Sequence, residues 1–281
     1  DSCIALKTHS NPCQPKNTFH KKSASRGNRS DRFLACVAYL DGIHPSVVMC
    51  RGYYTRTVLA AFDWDGKELK QRWVFDSNNP GCKDYAGQGN HNLRVGDVDG
   101  DGYDEIIYGS CAIDHNGKGL YTTEMGHGDA IHLTHFDPSR KGLQVWDCHE
   151  NKRDGSTYRD AATGEVLFQI KDNTDVGRCM AADIDPTQPG VEMWSVASGG
   201  IRNVEGEVVK DRVRGLSCNM AVWWDGDLLR ELLDRNMVSK YNWEKGVCER
   251  IAIFEGTLSN NGTKANPCLQ GDIVGDWREE V

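Results

Sequence analysis

The stretch DVDGDGYDEIIYG, residues 97–109, gathers the residue types of a hard-cation site into one short loop. Asp97, Asp99 and Asp101 alternate along it, so a tight loop can turn all three carboxylates inward. Gly102 permits the positive φ that such a sharp loop needs. Calcium takes about 6 to 8 oxygen ligands, and alternating aspartates followed by a glycine are a typical start of its loops. The pattern therefore predicts a calcium-binding loop.

The predicted loop is not an EF-hand. An EF-hand places a bidentate Glu at its twelfth position, whereas that position is Tyr108 here. Glu105, at the ninth position, is the nearest candidate to close the ligand shell, and Tyr103 is included in the candidate set. The following EIIYG is typical of a strand rather than a helix. The residues therefore indicate a metal turn that leads into a β-strand.

Weaker copies of this loop recur along the chain. DVDGDGYDEI (97–106) resembles DIVGDWREEV (272–281), and FDPSRKGLQVW (136–146) resembles IDPTQPGVEMW (184–194). The Glu or Gln of each copy stands at position 105, 144, 192 or 280, so the steps are 39, 48 and 88 residues, and 88 is twice 44. A period in the forties is typical of strand-rich propeller blades.

A second series of turns lies between these copies. A polar residue and Gly precede an apolar run in WDGKEL, HNGKGL, ATGEVL, VEGEVV and WDGDLL, and such turns join antiparallel strands. Helical periodicity is nearly absent, and residues 228–237 suit a short helix or a strand equally. We therefore predict an all-β propeller with calcium-binding turns, of which this chain holds about four to five blades. A β-sandwich is the alternative, but a sandwich does not need the same turn every forty-odd residues.

Composition limits the classes of protein and partner. The chain has 281 residues, of which 38% are hydrophobic, and this is enough for a sizeable core. It has no apolar run of about 18 residues, so we expect no membrane span, and its net charge of -8 argues against general nucleic-acid binding. Eleven cysteines without a CxxC pair signal neither zinc nor a redox motif. The first residues lack a signal-peptide core, so we expect a mature chain or a fragment.

Five longer segments carry a resemblance to a known family. They are DRFLACVAYLDGIHPSVVMCRGYYTRTVLAAFDWDGKEL, GQGNHNLRVGDVDGDGYDEIIYGS, GHGDAIHLTHFDPSRKGLQVW, GRCMAADIDPTQPGVEMW and SNNGTKANPCLQGDIVGDWREE. They resemble rhamnogalacturonan lyases of polysaccharide lyase family 11, whose members are longer than this chain. The resemblance implies an eight-bladed propeller with several bound calcium ions. In this sequence, residues 27–281 would form a partial catalytic propeller and residues 1–26 a divergent or irregular segment.

The resemblance also implies a reaction. Members cleave the rhamnose–galacturonate backbone of rhamnogalacturonan I by β-elimination, in which a base removes the galacturonate C5 proton and the C4 oxygen leaves. The site must neutralise the neighbouring carboxylate, accept the proton and assist the leaving oxygen. We therefore expect a calcium-dependent lyase that acts as a monomer on a pectic polysaccharide. We expect it to be extracellular or periplasmic, without nucleic-acid or membrane partners.

Two cationic segments match the motifs of the family. In NGTK, the resemblance implies sugar contacts for Asn261, Gly262 and Thr263 and a catalytic role for Lys264. In the GR dipeptide before AADIDP, it implies a catalytic role for Arg178. An arginine stays protonated, so we assign Arg178 to the carboxylate or the enolate-like charge. A lysine can change its pKa when it is desolvated near another cation, so Lys264 is the general-base candidate.

The resemblance groups His91, His127, Asp129 and Glu150 around one calcium ion near the cleft. Imidazole is an unusual calcium ligand, and these side chains taken alone suggest zinc or manganese. The remaining metal candidates are side chains of the repeated turns, which would clamp loops between blades: Asp137 with Gln144, Asp183, Asp185, Glu192, Asp272, Asp276 and Glu280.

The other histidines and the aromatic pairs have simpler interpretations. We interpret His132, His135 and His149 as structural residues or as partners of the ligands. The tyrosine pair at 53–54 and the tryptophan pair at 223–224 are predicted to pack between blades rather than to stack on sugars.

A second hypothesis is a propeller of the same fold without catalytic activity. A non-catalytic, calcium-stabilised propeller would bind carbohydrate or protein through its surface. The segments NGTK and VGRCM favour the lyase, because a structural propeller does not need them.

Overall fold

A computed structural model describes residues 32–197 and 200–281, and the predicted segment 1–26 lies outside the described residues. The described chain is all-β, as predicted, with twenty strands and one three-residue 3-10 helix. The strands form five antiparallel sheets of four strands, each paired in chain order. Five separate sheets differ from the two facing sheets of the alternative sandwich. No helix within the described ranges has the length and apolar character needed to cross a membrane.

The strand bounds follow the chain order. The first sheet consists of β1 (Phe33–Ala38), β2 (Ser46–Arg51), β3 (Val58–Trp64) and β4 (Leu69–Asp76). After the 3-10 helix (Lys83–Tyr85), the second consists of β5 (Gly89–Gly96), β6 (Glu105–Gly109), β7 (Cys111–Ile113) and β8 (Gly119–Thr122). The third consists of β9 (Ile131–Thr134), β10 (Gln144–Cys148), β11 (Ser156–Asp160) and β12 (Val166–Ile170). The fourth consists of β13 (Cys179–Ala182), β14 (Glu192–Ser195), β15 (Gly200–Arg202) and β16 (Val208–Asp211). The fifth consists of β17 (Met220–Val222), β18 (Glu231–Asp234), β19 (Met237–Asn242) and β20 (Val247–Ile253).

The core lies between consecutive sheets. In β6 all five residues are buried, because neighbouring residues of a strand point to opposite faces and both faces are covered. Ile106 packs in a cluster with Val48 of the first sheet, whereas Ile107 packs in another cluster with Ile131 of the third. Full burial of such an isoleucine contributes about 1.5–3 kcal/mol. The apolar run in EIIYG is therefore the sequence signal of a strand between two sheets.

The first strands of successive sheets contact one another, from β1 and β5 through to β13 and β17. These strands define two ends of the molecule. The site end holds the segments that lead into first strands, namely residues 86–88, 123–130, 171–178 and 212–219. The turn end holds the loops between the first and second strands, namely residues 97–104, 135–143, 183–191 and 223–230. Neighbouring loops meet at the turn end, where Arg230 N donates to Asp183 O over 2.8 Å.

One buried side chain closes each of these loops from the first position of the second strand. Glu105 Oε2 accepts a hydrogen bond from Val98 N over 2.9 Å, and Gln144 Oε1 accepts one from Phe136 N over 3.0 Å. The same arrangement places Glu192 Oε2 on Ile184 N at 2.8 Å and Glu231 Oε2 on Trp224 N at 2.9 Å. All four closing side chains are 0% exposed. The repeated Glu or Gln in the sequence therefore marks the side chain that closes each loop by accepting a backbone hydrogen bond.

Glu231 corrects the predicted spacing. It follows Glu192 by 39 residues and precedes Glu280 by 49, so the step of 88 residues contains a further repeat rather than two equal steps of 44. The segment 228–237, which suited a helix or a strand, contains β18 and the start of β19. The described cysteines, Cys36, Cys50, Cys82, Cys111, Cys148, Cys179, Cys218, Cys248 and Cys268, are free thiols.

Candidate active site and metal centres

A cleft of about 380 Å³ is lined by residues near the beginnings of β5, β9, β13 and β17. His91, Asp129, Arg178 and Lys264 all line it, so four of the predicted site residues come together from distant parts of the chain. A more open groove of about 580 Å³ lies elsewhere, beside Arg153. The predicted site residues line the smaller cleft, whereas none of the predicted histidines or catalytic cations lines the groove.

The four residues His91, His127, Asp129 and Glu150 form one group, in which the potential ligand atoms lie within 4.8 Å of one another. His91 Nε2 lies 3.1 Å from Asp129 Oδ1, and His127 Nε2 lies 3.5 Å from Glu150 Oε1. The structure therefore brings these four predicted ligands together. The metal that it would bind stays a prediction.

His127 has the form that a metal ligand requires. Its Nδ1 lies 2.5 Å from Gly89 O, and a carbonyl only accepts, so Nδ1 carries the proton and Nε2 keeps its lone pair. Nε2 is buried without a hydrogen-bond partner among the described residues. Burial, and then the neighbouring His91, lower the pKa of His127 to about 3, so the ring is neutral at ordinary pH. Two imidazoles with two carboxylates fit a divalent transition metal by donor type, and calcium less well.

Two tyrosines hold His91 from both sides. Tyr53 Oη lies 3.1 Å from His91 Nδ1, and Tyr54 Oη lies 3.0 Å from His91 Nε2. The Tyr54 ring centroid is 3.9 Å from that of His127. The predicted packing role holds for Tyr53, which is 4% exposed and belongs to the core between the first two sheets. Sequence analysis missed the polar role, because the partner histidines are more than thirty residues away.

The three histidines that the sequence analysis interprets as structural, or as partners of the ligands, make hydrogen bonds within the chain. His132 Nε2 donates to Cys179 O over 3.2 Å, and His135 Nε2 donates to Arg140 O over 2.7 Å. His149 is fully buried, and its Nε2 lies 2.8 Å from Thr157 Oγ1.

The two predicted catalytic cations face the cleft in different surroundings. Lys264 Nζ makes an ion pair with Asp129 Oδ1, the same oxygen that faces His91. Arg178 Nε donates to Asn219 Oδ1 over 3.1 Å. Asp129 is therefore shared between the histidine group and the lysine, and it connects the candidate metal site to the candidate base.

The loop NGTK presents Lys264 from the site end. Asn261 Oδ1 accepts hydrogen bonds from Lys264 N over 2.6 Å and from Thr263 N over 3.2 Å, which shapes the turn. Asn261, Gly262 and Thr263 are exposed, while Lys264 and Asn266 line the cleft. The side chain of Asn261 thus positions the lysine, and the sugar contacts of the three exposed residues stay a prediction.

The predicted calcium loop lies at the turn end, opposite the cleft. Asp97, Asp99 and Asp101 form one acidic group, and Asp101 also groups with Glu105 and His115. Glu105 Oε1 is buried without a hydrogen-bond partner among the described residues, which fits a cation ligand. Burial, aided by the nearby aspartates, raises the pKa of Glu105 to about 7.

Tyr103, the remaining predicted member of this loop, makes contacts that shape the loop. Tyr103 N donates to Asp101 Oδ1 over 2.9 Å, and the Tyr103 ring stacks on His115 with centroids 4.5 Å apart. Tyr103 therefore shapes the loop and covers the histidine.

The other turns bind their own backbone first. Asp137 Oδ1 accepts from Ser139 N over 2.9 Å, and Asp272 Oδ1 accepts from Gly275 N over 2.6 Å. Glu192 keeps a buried, unpartnered Oε1, and burial raises its pKa to about 8. Two of the predicted ligand sets do not form metal-sized groups of their own among the described residues: Asp183, Asp185 and Glu192, and Asp272, Asp276 and Glu280. The pair Asp137 with Gln144 stays a prediction.

A further acidic turn, missed from the sequence, already contains a cation. Asp225, Asp227 and Glu231 form a group around Lys240, whose Nζ lies 2.5, 2.6 and 2.8 Å from their carboxylates. The spacing of these three acids equals that of Asp99, Asp101 and Glu105, a signal that could have found the group. We had interpreted the WDG of this segment only as a hairpin turn.

Comparison with known proteins agrees with this architecture. The family model described as "Rhamnogalacturonan lyase family 11, C-terminal domain" matches residues 6–281. The rhamnogalacturonan exolyase YesX of Bacillus subtilis (strain 168) is 55% identical over 95% of this chain and 46% of its own length. The rhamnogalacturonan endolyase YesW of the same organism is 52% identical over 92% of this chain and 41% of its own length.

Solved structures give the same result. The Bacillus licheniformis rhamnogalacturonan lyase PL11 superposes with a TM-score of 0.86 and 53% identity, over 90% of this chain and 43% of that one. The exotype rhamnogalacturonan lyase YesX superposes with a TM-score of 0.88 and 52% identity, over 94% of this chain and 46% of that one. The chain thus spans less than half the length of the relatives it matches. It belongs to rhamnogalacturonan lyase family 11.

Proposed function

We propose that this chain acts in a calcium-dependent lyase that cleaves the rhamnose–galacturonate backbone of rhamnogalacturonan I by β-elimination. The observation that carries the proposal is the convergence of Lys264 and Arg178 on one cleft, beside Asp129 of the histidine group. The names of the similar proteins support a rhamnogalacturonan substrate. Because the proposed substrate is a polymer rather than a small molecule, we also propose an extracellular or periplasmic location.

The residues suit the demands of the reaction. Removal of the C5 proton builds negative charge next to a carboxylate, so a fixed cation must stabilise both. Arg178 supplies a permanently charged planar fork for that carboxylate. A cation held by His91, His127, Asp129 and Glu150 would supply further charge neutralisation. When Asp129 serves that cation, Lys264 loses its carboxylate partner, and its amine in the neutral form would accept the proton.

We assign a propeller arrangement to the sheets and a structural role to the acidic turns. Contact between the first strands of successive sheets, with a core between each pair of sheets, is what adjacent blades require. The carboxylates of Asp97, Asp99 and Asp101, with the unpartnered Glu105 Oε1, support a calcium site at the turn end. Such a site is far from the cleft and would stabilise the fold.

The test uses ultraviolet absorbance of the unsaturated product, with rhamnogalacturonan I and saturating calcium. Lys264→Ala should lower turnover by about 10² to 10⁴, the usual contribution of general-base catalysis. Arg178→Lys should also lose turnover, because an ammonium does not reproduce the planar fork. Lys67→Ala is the matched control, since Lys67 is an exposed lysine in the turn between β3 and β4.

The outcomes separate the two hypotheses. If the folded Lys264→Ala chain keeps wild-type turnover, Lys264 is not the base. If the wild-type chain binds the polymer but yields no unsaturated product, the non-catalytic carbohydrate-binding propeller is the better description.

A further inference from the structure

The side chains that line the cleft carry a net positive charge, whereas the whole chain carries a net negative charge. Arg94, Arg178, Arg230 and Lys264 line it, and Asp129 is the one acidic residue among its lining side chains within the described ranges. The whole chain has a net charge of -8. A positive cleft in an acidic protein concentrates anionic ligands at that place.

The four cations are not equivalent, because two of them already have a carboxylate partner. Lys264 pairs with Asp129, and Arg230 Nη2 lies 3.3 Å from Glu279 Oε2. Arg178 has amide and carbonyl partners, and it is the residue that the proposed reaction uses. Arg94 remains without an assigned role.

Arg94 lies in β5, three residues after His91, and its Nη1 donates to Leu93 O over 3.1 Å. No carboxylate of residues 32–197 or 200–281 lies within 4.0 Å of its guanidinium. Desolvation lowers the pKa of Arg94, a sign of how much of its hydration the site removes. A charged group in such a place is costly unless an anion reaches it.

The neighbours of Arg94 do not supply that anion. Burial, and then the charge of Arg94, lower the pKa of His132 to about 4, so its ring is neutral. Burial raises the pKa of the Cys179 thiol well above its usual value, so its sulfur is uncharged. No carboxylate of the described residues therefore compensates the charge of Arg94 in the cleft.

We propose that Arg94 binds a uronate carboxylate of the polymer, on a sugar other than the one that reacts. β5 is irregular between Gly89 and Arg94, so His91 and Arg94 both line the cleft although they lie three residues apart. In a backbone of alternating rhamnose and galacturonate, neighbouring carboxylates are separated by a neutral sugar, so two separate cations can each bind one. The choice of polymer rests on the proposed function, whereas the specificity for a carboxylate rests on the cleft alone.

The first experiment is calorimetric titration of the full chain with D-galacturonate and with D-galactose, which lacks the carboxylate. The wild type should bind galacturonate at two sites and galactose at neither. Arg94→Gln should remove one galacturonate site, weakening it by about 10- to 100-fold, as expected for loss of a charge-assisted bidentate contact. Arg202→Gln is the matched control, because Arg202 is also half-buried and donates to a backbone carbonyl, Gly206 O, over 2.8 Å. Retention of both sites in Arg94→Gln, or no preference for galacturonate in the wild type, overturns the proposal.

The second experiment measures kinetics on rhamnogalacturonan I. Arg94→Gln should raise KM about 10-fold or more with kcat within about twofold, since the contact is made equally before and during the reaction. A fall in kcat at unchanged KM would overturn the assignment to a non-reacting sugar. Arg94→Lys keeps the charge, so its KM should lie between the KM of the wild type and that of Arg94→Gln. This intermediate KM separates loss of binding from loss of folding. If the wild type forms no product, the proposed reaction fails, and the titration still decides whether Arg94 binds a carboxylate.

Discussion

Replacement of Arg159 by Met should be among the most damaging single changes in this chain. Arg159 and Asp147 form an ion pair in which both side chains are 0% exposed and Nη1 lies 3.0 Å from Oδ2. Asp147 Oδ1 also accepts from Asn90 Nδ2 over 2.7 Å, and Arg159 Nη2 donates to Gly109 O over 2.5 Å. Arg159→Met leaves the Asp147 charge and the Gly109 carbonyl buried without that partner.

Loss of one member of a fully buried pair costs about 3–5 kcal/mol, because the remaining charge is uncompensated. For a chain of this size, each kcal/mol lowers the melting temperature by about 2–4 °C, so the total decrease is about 6–20 °C. The measurement is the urea midpoint at unchanged slope, with calcium held constant.

Arg72→Met is the matched control. Arg72 pairs with Asp63 over 2.9 Å, but these side chains are 29% and 39% exposed. Solvent screening limits such a pair to about 0–1 kcal/mol. The double variant Asp147→Asn with Arg159→Met should recover part of the loss, since it removes the unpaired charge. Equal urea midpoints for Arg159→Met and Arg72→Met would refute the reasoning.

Arg159→Met should also disturb the histidine group. Asn90, which Asp147 holds, lies between Gly89 and His91, and Gly89 O is the acceptor of His127 Nδ1. Loss of partners around metal ligands typically weakens metal binding by about 10- to 100-fold. Titration with zinc or manganese should therefore show weaker binding in Arg159→Met than in Arg72→Met.

Three further predictions concern the turns and the strands. Lys240→Met should lower the free energy of unfolding by roughly 1–3 kcal/mol, because the buried Glu231 loses its counter-charge. The loss is smaller than for a fully buried pair, since Lys240 is partly exposed to solvent. A urea titration measures it, and an unchanged midpoint would contradict the expectation. Excess EGTA, with metal loss verified, should lower the melting temperature, because carboxylates of the acidic turns would repel one another; an unchanged temperature would remove their structural role. Gly155→Ala should prevent stable folding, because φ is 61° and a Cβ would lie 1.9 Å from Ile170 O; Gly66→Ala, at φ 94° with open space around it, should cost only about 1–2 kcal/mol. Comparable melting temperatures for the two glycine variants would contradict the last expectation.

Local sequence patterns determined much of the architecture. Short apolar runs such as EIIYG mark strands that are covered on both faces, and the polar-Gly turns mark where strands reverse. The closing Glu or Gln of each acidic turn lies within nine residues of the backbone it binds, so spacing alone reveals it. These features are short in range, and the side chains satisfy a nearby backbone group whatever the rest of the chain does.

The sequence predicted only some of the residues that line the cleft. The resemblance to a family identified His91 and Lys264, but residue types and spacing alone make each an ordinary surface or core residue. The contact of Lys264 with Asp129 joins residues 135 positions apart, and the contact of Tyr53 with His91 joins residues 38 apart. Neither pair has a local signature.

The sequence by itself determined the strands, their turns and the repeated acidic loops, because those depend on neighbours within about ten residues. Only the tertiary structure decided that Lys240 supplies the cation of one acidic loop. Among the described residues, it left a carboxylate oxygen of Glu105 and one of Glu192 without a hydrogen-bond partner. It alone decided that Arg94 lines the cleft without a carboxylate of the described residues beside it. The reason is physical: the charge that balances a side chain comes from another strand or sheet, and chain spacing does not fix which strands meet.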